Sequence, residues 1–391
     1  MNAFSRHIDF ARAQKNYIAT ATLIVKKPKE KASDAMSIKF GYNIISLSAL
    51  DSVKAGIMAE KYGFDSVWVP DHLIEDGALV DPWSVMAVIG TQTKHVLLCT
   101  GVTDTQRCHP AKTAQSVATV DEISRGRAGL GIGAGEVMNI VPFGIHWDKD
   151  PRDRTQRLRE AIEVIKLLWG SSKKKMVSYD GKFFRLKNAW LDQHPVRKPH
   201  PPVYVGAISS TRLLELTGEM GEGWYSWLIT PETFIRRREK IERAAEKVGR
   251  KLEDIDTVAT IYTAFTNDPK VQREIVEAVK TEILMCDYTG LKSFGVKLPL
   301  PERYTYQYVA VTERYLPIIQ ETANQIPENI FKKYASIGTV DDCIGFIESF
   351  VKVGAKHISI CDLMIDVKGM PGVEESLKTF GSKIIPYFKD H

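Results

Sequence analysis

The chain has 391 residues with ordinary apolar and charged fractions, enough for one large α/β barrel or two smaller domains. Its net charge of +5 is uneven: residues 1–35 hold seven Lys/Arg against three Asp/Glu, so the rest is nearly neutral and offers no basic surface for nucleic acid. No apolar run approaches the roughly 20 residues that span a bilayer, and Cys99, Cys108, Cys286, Cys343 and Cys361 show no metal-ligand spacing, so a cytoplasmic protein with reduced thiols and no metal site is expected.

Residues 1–35 read as a basic, flexible extension in which Tyr17–Val25 is a weak strand at most, too short for a signal peptide. From Met36 onward a single domain is expected. Ile38–Ile45 predicts strand one, and Ser48-x-x-Asp51 a capping box for a helix that stops at Gly63. Ser66–Val69, Val96–Val102 and Arg127–Ile132 predict three more strands, separated by helices over Asp81–Thr93 and Pro110–Ser124. Leu158, Ile162, Ile165 and Trp169 then recur at helical spacing up to Gly170.

Residues 173–200 break this rhythm, and Asp180-Gly181 between β-prone runs marks a hairpin insertion. Strands resume at Pro201–Gly206, Gly223–Trp227 and Thr257–Phe265, with helices at Ser209–Gly218 and Pro231–Val248. Residues 267–330 are helical in pattern and too long for a simple connection, so they read as an insertion, a lid or an interface. Thr339-x-x-Asp342 caps a helix that runs to Val353, His357–Cys361 is an eighth strand, and a last helix ends near Phe388. Eight strands alternating with helices predict an α/β fold, a (β/α)8 TIM barrel, with a doubly wound open sheet as the alternative.

In such a barrel the C-terminal tips of the strands converge on one face. Phe64–His72 (FDSVWVPDH) ends in Asp71 and His72, and Gly126–Asn139 (GRAGLGIGAGEVMN) leaves its strand through a glycine turn onto Glu136. One histidine and one carboxylate on such tips suit an acid/base pair. The glycine pattern alone is shared by many βα turns and lacks the acidic ribose anchor of a dinucleotide fingerprint. Read singly, His72 serves equally well as a structural histidine, and Glu136 as a carboxylate favoured by a helix dipole. His109 reads as a turn residue before Pro110, and Arg107 as either an ion-pair partner or a ligand contact.

Taken together, VWVPDH, VTDTQRCHPAKTAQ, RGRAGLGIGAGEVMN and VYVGAISS resemble the luciferase-like monooxygenase superfamily, within it the branch that uses the deazaflavin coenzyme F420. The resemblance runs from about Ile38 to the C-terminus. DH with GxGE and a following Asn is similar to F420-dependent alcohol and glucose-6-phosphate dehydrogenases, and RGRAGLGIGAGE with FGIHW to phthiodiolone ketoreductases. It implies a homodimeric oxidoreductase that moves hydride between F420 and a carbonyl or secondary alcohol, with no nucleic-acid or membrane partner.

On this resemblance Asp71, Thr103, Ala134, Gly135 and Asn139 contact the deazaflavin or its ribityl chain. Ile208, Ser209, Thr211 and Arg212 hold its phosphate, where a helix N-terminus suits an anion. His72 takes or gives the substrate proton, and Glu136 protonates or stabilises the reduced ring. A cis peptide between Thr100 and Gly101 is also implied. Where the sugar-phosphate dehydrogenases carry a phosphate-binding lysine, the stretch WYSWLITPE places Thr230, with Trp227 at the site of a small hydroxyl residue, so a less polar substrate is expected. The alternatives are a 5,10-methylenetetrahydromethanopterin reductase, whose GPGD-like turn GAGE would replace, an FMN-dependent monooxygenase, and a non-catalytic flavin-binding barrel.

Overall fold

The computed structural model describes residues 38–74, 79–300, 305 and 315–389, and the expected N-terminal extension lies outside them. Residues 37–391 form one compact unit. Its centre is a parallel barrel of β1 (Lys39–Asn43), β2 (Ser66–Val69), β3 (Leu97–Thr100), β4 (Ala128–Gly133), β5 (Val203–Gly206), β6 (Gly223–Tyr225), β7 (Asp256–Phe265) and β8 (His357–Asp362). Each strand pairs with the next, and β8 closes on β1 in the register Lys39 to His357. The eight strands match the sequence expectation. Two short additions do not: Thr103–Asp104 pairs with β4 and Ala335–Gly338 with β7.

The helices between strands start where the sequence supplies caps. For α1 (Ala49–Lys61), Ser48 accepts a bond from the Asp51 N–H at 3.3 Å. The helices α2 (Pro82–Gln92), α3 (Pro110–Ile123), α4 (Pro151–Trp169) and α6 (Pro231–Lys247) each open on a proline, which gives up an N–H that would be orphaned anyway. Between the last two lies α5 (Thr211–Met220). Among the described residues no helix is long and apolar enough to cross a membrane.

The expected hairpin is an antiparallel pair, Val177–Asp180 with Arg185–Ala189. It is tied to the barrel by the buried Glu160 of α4, which accepts the N–H groups of Lys182, Phe183 and Phe184 at 3.0, 2.7 and 3.2 Å. The helical insertion contributes α7 (Pro269–Cys286), Tyr288–Ser293, α8 (Leu316–Asn324) and Glu328–Phe331. It packs Ile283, Leu291, Ile319, Phe331 and Tyr334 into one apolar cluster with Tyr262 and Ala264 of β7 and Cys361 of β8. One buried carboxylate fastens it: Asp287 accepts from Arg237 of α6, from the Tyr334 hydroxyl at 3.1 Å and from the Gly290 N–H at 3.1 Å.

Polar side chains close the N-terminal end of the barrel. The His357 ring bonds Asp256 through Nδ1 at 3.0 Å and Ser66 through Nε2 at 2.9 Å, while Trp68 donates to Ser66 and Tyr204 to Asp256. Trp68, Cys99, Tyr204, Tyr225 and Val258 fill the interior above this floor. The barrel therefore opens only at its C-terminal face.

Two buried carboxyls make predictions. Truncating Asp287→Ala strands the Arg237 guanidinium in the interior, at a cost of about 3–5 kcal/mol. Urea unfolding of wild type and variant measures it, and a change under about 1 kcal/mol would show that the insertion is held by its apolar cluster alone. At the end of β8, Asp362 is buried and accepts the Met364 N–H at 3.0 Å. Burial pushes its carboxyl up to about 7, more than the Met364 N–H offsets. The unfolded chain loses this proton near pH ~3.9. The folded state therefore binds more protons in between, and stability falls as pH rises from about 4 towards neutrality. In Asp362→Asn that slope disappears, so the advantage of the variant over wild type should be larger at pH ~8 than at pH ~5 in paired urea titrations.

Candidate active site

Glycines shape the floor of the open end. A Cβ on Gly131 would fall 1.9 Å from the Thr100 carbonyl oxygen, and one on Gly206 would fall 2.9 Å from Val102. Their absence lets the chain turn inward after β3, and Val102 sits against both strands. The expected cis peptide is displaced by one residue: it joins Gly101 to Val102, not Thr100 to Gly101. The reason is visible in the ladder, since the Gly101 N–H still bonds the Val69 carbonyl at 2.8 Å and the chain leaves β3 only after Gly101.

Above this floor lies an open cavity of about 1470 Å³, counted out to solvent. Asp71, His72, Thr103, Ala134, Gly135, Glu136, Asn139 and Ile208 all line it. Gly135, at φ +86°, turns the chain at the β4 tip and presents Glu136 to the cavity. The His72 Nε2 and Glu136 Oε2 atoms lie 3.8 Å apart, with side chains 22% and 31% exposed. The two strand tips named from sequence thus form one pair.

Asn139 holds these tips together. Its Oδ1 accepts the N–H groups of Leu73 and Ile74 at 2.6 and 3.0 Å, which fixes the backbone just beyond His72. Its buried Nδ2 has no hydrogen-bond partner among the described residues. Arg107 resolves to an ion-pair partner that also faces the cavity: it bridges Asp71, at 3.3 Å from Oδ1, and Asp104. Burial opposes its charge, but the carboxylates of Asp104 and Asp71 more than offset that and hold it firmly protonated. His109 does cap α3, its Nδ1 accepting the Ala111 N–H at 3.2 Å.

Two helix N-termini meet the cavity at another side. The start of α5 supplies Ile208, Ser210 and Leu213, and the start of α4 supplies Pro151, Arg154 and Thr155. Ser210 makes no side-chain bond to cap its own helix. Of the four residues expected to hold a phosphate, only Ile208 lines the cavity; Ser209 is half-buried, while Thr211 and Arg212 are exposed, and Thr211 accepts a bond from Lys240 at 2.9 Å. Ser210, Arg154 and Thr155 were not singled out by the sequence. Arg154 is buried, donates to the carbonyls of Asp148 and Lys149 at 2.8 and 3.0 Å, and stacks on Trp147.

The helical insertion covers the remaining side with Glu282, Met285 and Cys286 of α7, against Trp227 beyond β6. The Trp227 indole N–H donates to Glu282 at 3.3 Å and the Cys286 thiol to the same oxygen at 3.1 Å. Thr230, by contrast, is buried as the cap of α6, where it pairs with Thr233, and does not line the cavity.

The chain matches the luciferase-like monooxygenase family over residues 51–357. It is 28% identical to an F420-dependent glucose-6-phosphate dehydrogenase of Microbacterium testaceum, across 89% of this chain and 97% of that protein. It is equally 28% identical to a 5,10-methylenetetrahydromethanopterin reductase of Archaeoglobus fulgidus, across 85% and 94%. A solved F420-dependent secondary alcohol dehydrogenase, in complex with an F420-acetone adduct, superposes with a TM-score of 0.72 at 26% identity, covering 89% of this chain and 98% of that one. The chain therefore belongs to the luciferase-like monooxygenase family and is an oxidoreductase related to F420-dependent dehydrogenases and reductases.

Proposed function

We propose that the cavity binds coenzyme F420 and that the protein transfers hydride between it and a carbonyl or secondary alcohol. The observation that carries this reading is the His72–Glu136 pair, 3.8 Å apart on the wall of the open cavity at the C-terminal end of the barrel. The residues present suit that group. The buried Nδ2 of Asn139, without a partner among the described residues, offers a donor to a ring or ribityl oxygen. Gly135 and Gly206 leave the backbone bare for close approach. Ser210 with the N-termini of α5 and α4, and Arg154 beside them, favour a phosphate. Asp71 and Thr103 complete the wall.

When bound, F420 supplies a ring that carries two electrons as hydride. The protein must handle the proton that accompanies it. His72 is the group to take the hydroxyl proton of an alcohol or return one to a carbonyl oxygen, since an imidazole works in both directions near neutral pH. Glu136, in reach of His72, favours the imidazolium that forms and balances charge at the ring edge. Arg107 and Asn139 keep both tips in position.

A titration with F420 and with FMN is the first test. Tighter binding of F420 is expected, and clear preference for FMN moves the protein to a monooxygenase reading. Reduction of F420 by secondary alcohols, or oxidation of its reduced form by ketones, then supports the carbonyl chemistry, while activity with methylenetetrahydromethanopterin alone points to the pterin reductase. In single-turnover measurements His72→Ala should slow hydride transfer by roughly 10²–10⁴-fold with F420 affinity nearly intact. Glu136→Gln should also slow it and displace the pH profile. Because the two groups touch, the double variant should be slower by less than the product of the single effects. Near wild-type rates in both single variants would remove this mechanism while leaving cofactor binding in place.

A further inference from the structure

Behind the cavity wall, one amide side chain joins two elements that line it. Gln106, half-buried in the segment after β3, donates from Nε2 to the Ala134 carbonyl at 3.0 Å and accepts the Asp148 N–H on Oε1 at 3.2 Å. Ala134 lies at the β4 tip and lines the cavity, two residues before Glu136. Asp148 lies just ahead of α4, and its own carbonyl accepts from Arg154, another lining residue, at 2.8 Å. The backbone that carries Gln106 is itself fixed, because Asp104 Oδ1 accepts the N–H groups of Gln106 and Arg107 at 2.8 and 2.9 Å. Only one orientation of the amide serves both partners, since a carbonyl needs a donor and an N–H needs an acceptor.

We propose that Gln106 is a positioning residue for the His72–Glu136 pair, acting through the Ala134 peptide, and the proposal rests on the acid/base role given to that pair. The turn between Ala134 and Glu136 pivots on Gly135, at φ +86°, where a Cβ would strike Ile140 Cδ1 at 2.6 Å. A glycine pivot has wide torsional freedom, so the direction of the Glu136 side chain depends on what holds the peptides on either side. On the far side the Glu136 carbonyl accepts the Asn139 N–H at 3.2 Å. On the near side the Gln106 amide holds the Ala134 carbonyl and packs against Gly135, where a Cβ would stand 3.4 Å from Nε2. Without that bond the peptide between Ala134 and Gly135 can rotate, and Glu136 swings away from its 3.8 Å approach to His72. Through Asp148 the same amide keeps the turn in place relative to the start of α4.

The test places Gln106→Met, similar in length but without the amide donor and acceptor, in the wild-type and Glu136→Gln backgrounds of the full-length protein. In single-turnover measurements with F420, Gln106→Met should slow hydride transfer by about tenfold or more with F420 affinity nearly intact. In the Glu136→Gln background the same substitution should cost less than about twofold, because the group it positions is already gone. A second readout needs no cofactor: the His72 imidazole is titrated by NMR in the free protein, its signals assigned with His72→Ala. Glu136→Gln should lower the midpoint by removing a carboxylate that favours the imidazolium, and Gln106→Met should lower it by a smaller amount, with no further change in the double variant. Gln106→Asn, an amide one methylene too short to reach both partners, should match Gln106→Met and serves if that variant fails to fold. Unchanged rate and midpoint in Gln106→Met, equal slowing in both backgrounds, or a loss confined to F420 affinity overturns the proposal. If no alcohol or ketone exchanges hydride with F420, the hydride-transfer reading fails, and the His72 midpoints still decide this one.

Discussion

Val102 occupies space that glycines leave open, and the cavity depends on it. A side chain on Gly131 would collide with the Thr100 carbonyl, and Cβ atoms on Gly133 and Gly206 would crowd the Val102 methyls at 3.2 and 2.9 Å. With those three positions bare, the segment between β3 and α3 passes inside the rim of the barrel instead of over it. It carries Thr103, Asp104 and Arg107 into the mouth, where Thr103–Asp104 adds a short ladder to β4. Close packing of this kind has little tolerance for extra volume, so the path of the chain after β3 against β4 and β5 is set by a few missing Cβ atoms.

On that base, two clamps convert separate loops into one site. Arg107 joins the β2 tip at Asp71 to the segment after β3 at Asp104, and Asn139 joins the same β2 tip to the turn after β4. Both clamps bear on the residues flanking His72, and Gly135 delivers Glu136 from the other side. The 3.8 Å approach of imidazole and carboxylate is thus set by groups other than the pair itself. Such preorganisation keeps reacting groups in place without cost at the moment of reaction.

The barrel was legible in the sequence because its strands are short, β-rich and separated by capped or proline-led helices, each signal local to a few residues. Ser66–Val69 coincides with its expected bounds, and the Asp180-Gly181 hairpin forms as read. Thr103–Asp104 escaped because two residues carry no periodicity, and Ala335–Gly338 because it runs straight into the Thr339 cap of the next helix. At the site, His72 and Glu136 could be named from their positions on strand tips, but their approach depends on the barrel closing. The turn at the start of α5 shows the limit: Ser210 lines the cavity where Ser209, Thr211 and Arg212 do not, and one step along the chain at a helix start redirects a side chain by about 100°. Arg154 and Thr155 read in sequence as an ordinary charged first turn of α4, and Glu282 as one more acidic residue on a mixed helix. Nothing local distinguishes them, because what makes them part of the site is a neighbour from a distant segment.

That difference in legibility follows the construction of the cavity. The half built by Asp71, His72, Glu136, Asn139 and the α5 turn belongs to the barrel, whose geometry is fixed by strand pairing and by glycine packing. The other half comes from α7, which is attached through the apolar cluster and through Asp287 with Arg237 and Tyr334. On α7, Glu282 and Cys286 sit on one face toward the cavity, while Ile283 and Leu284 are buried in the cluster that the insertion shares with β7 and β8. The solved secondary alcohol dehydrogenase shares the fold at a TM-score of 0.72, and the names of the related proteins specify a sugar phosphate, a pterin or a secondary alcohol. In this chain the cavity-facing side chains of α7 and Trp227 answer to the packing of the insertion, and those of the strand tips to that of the barrel.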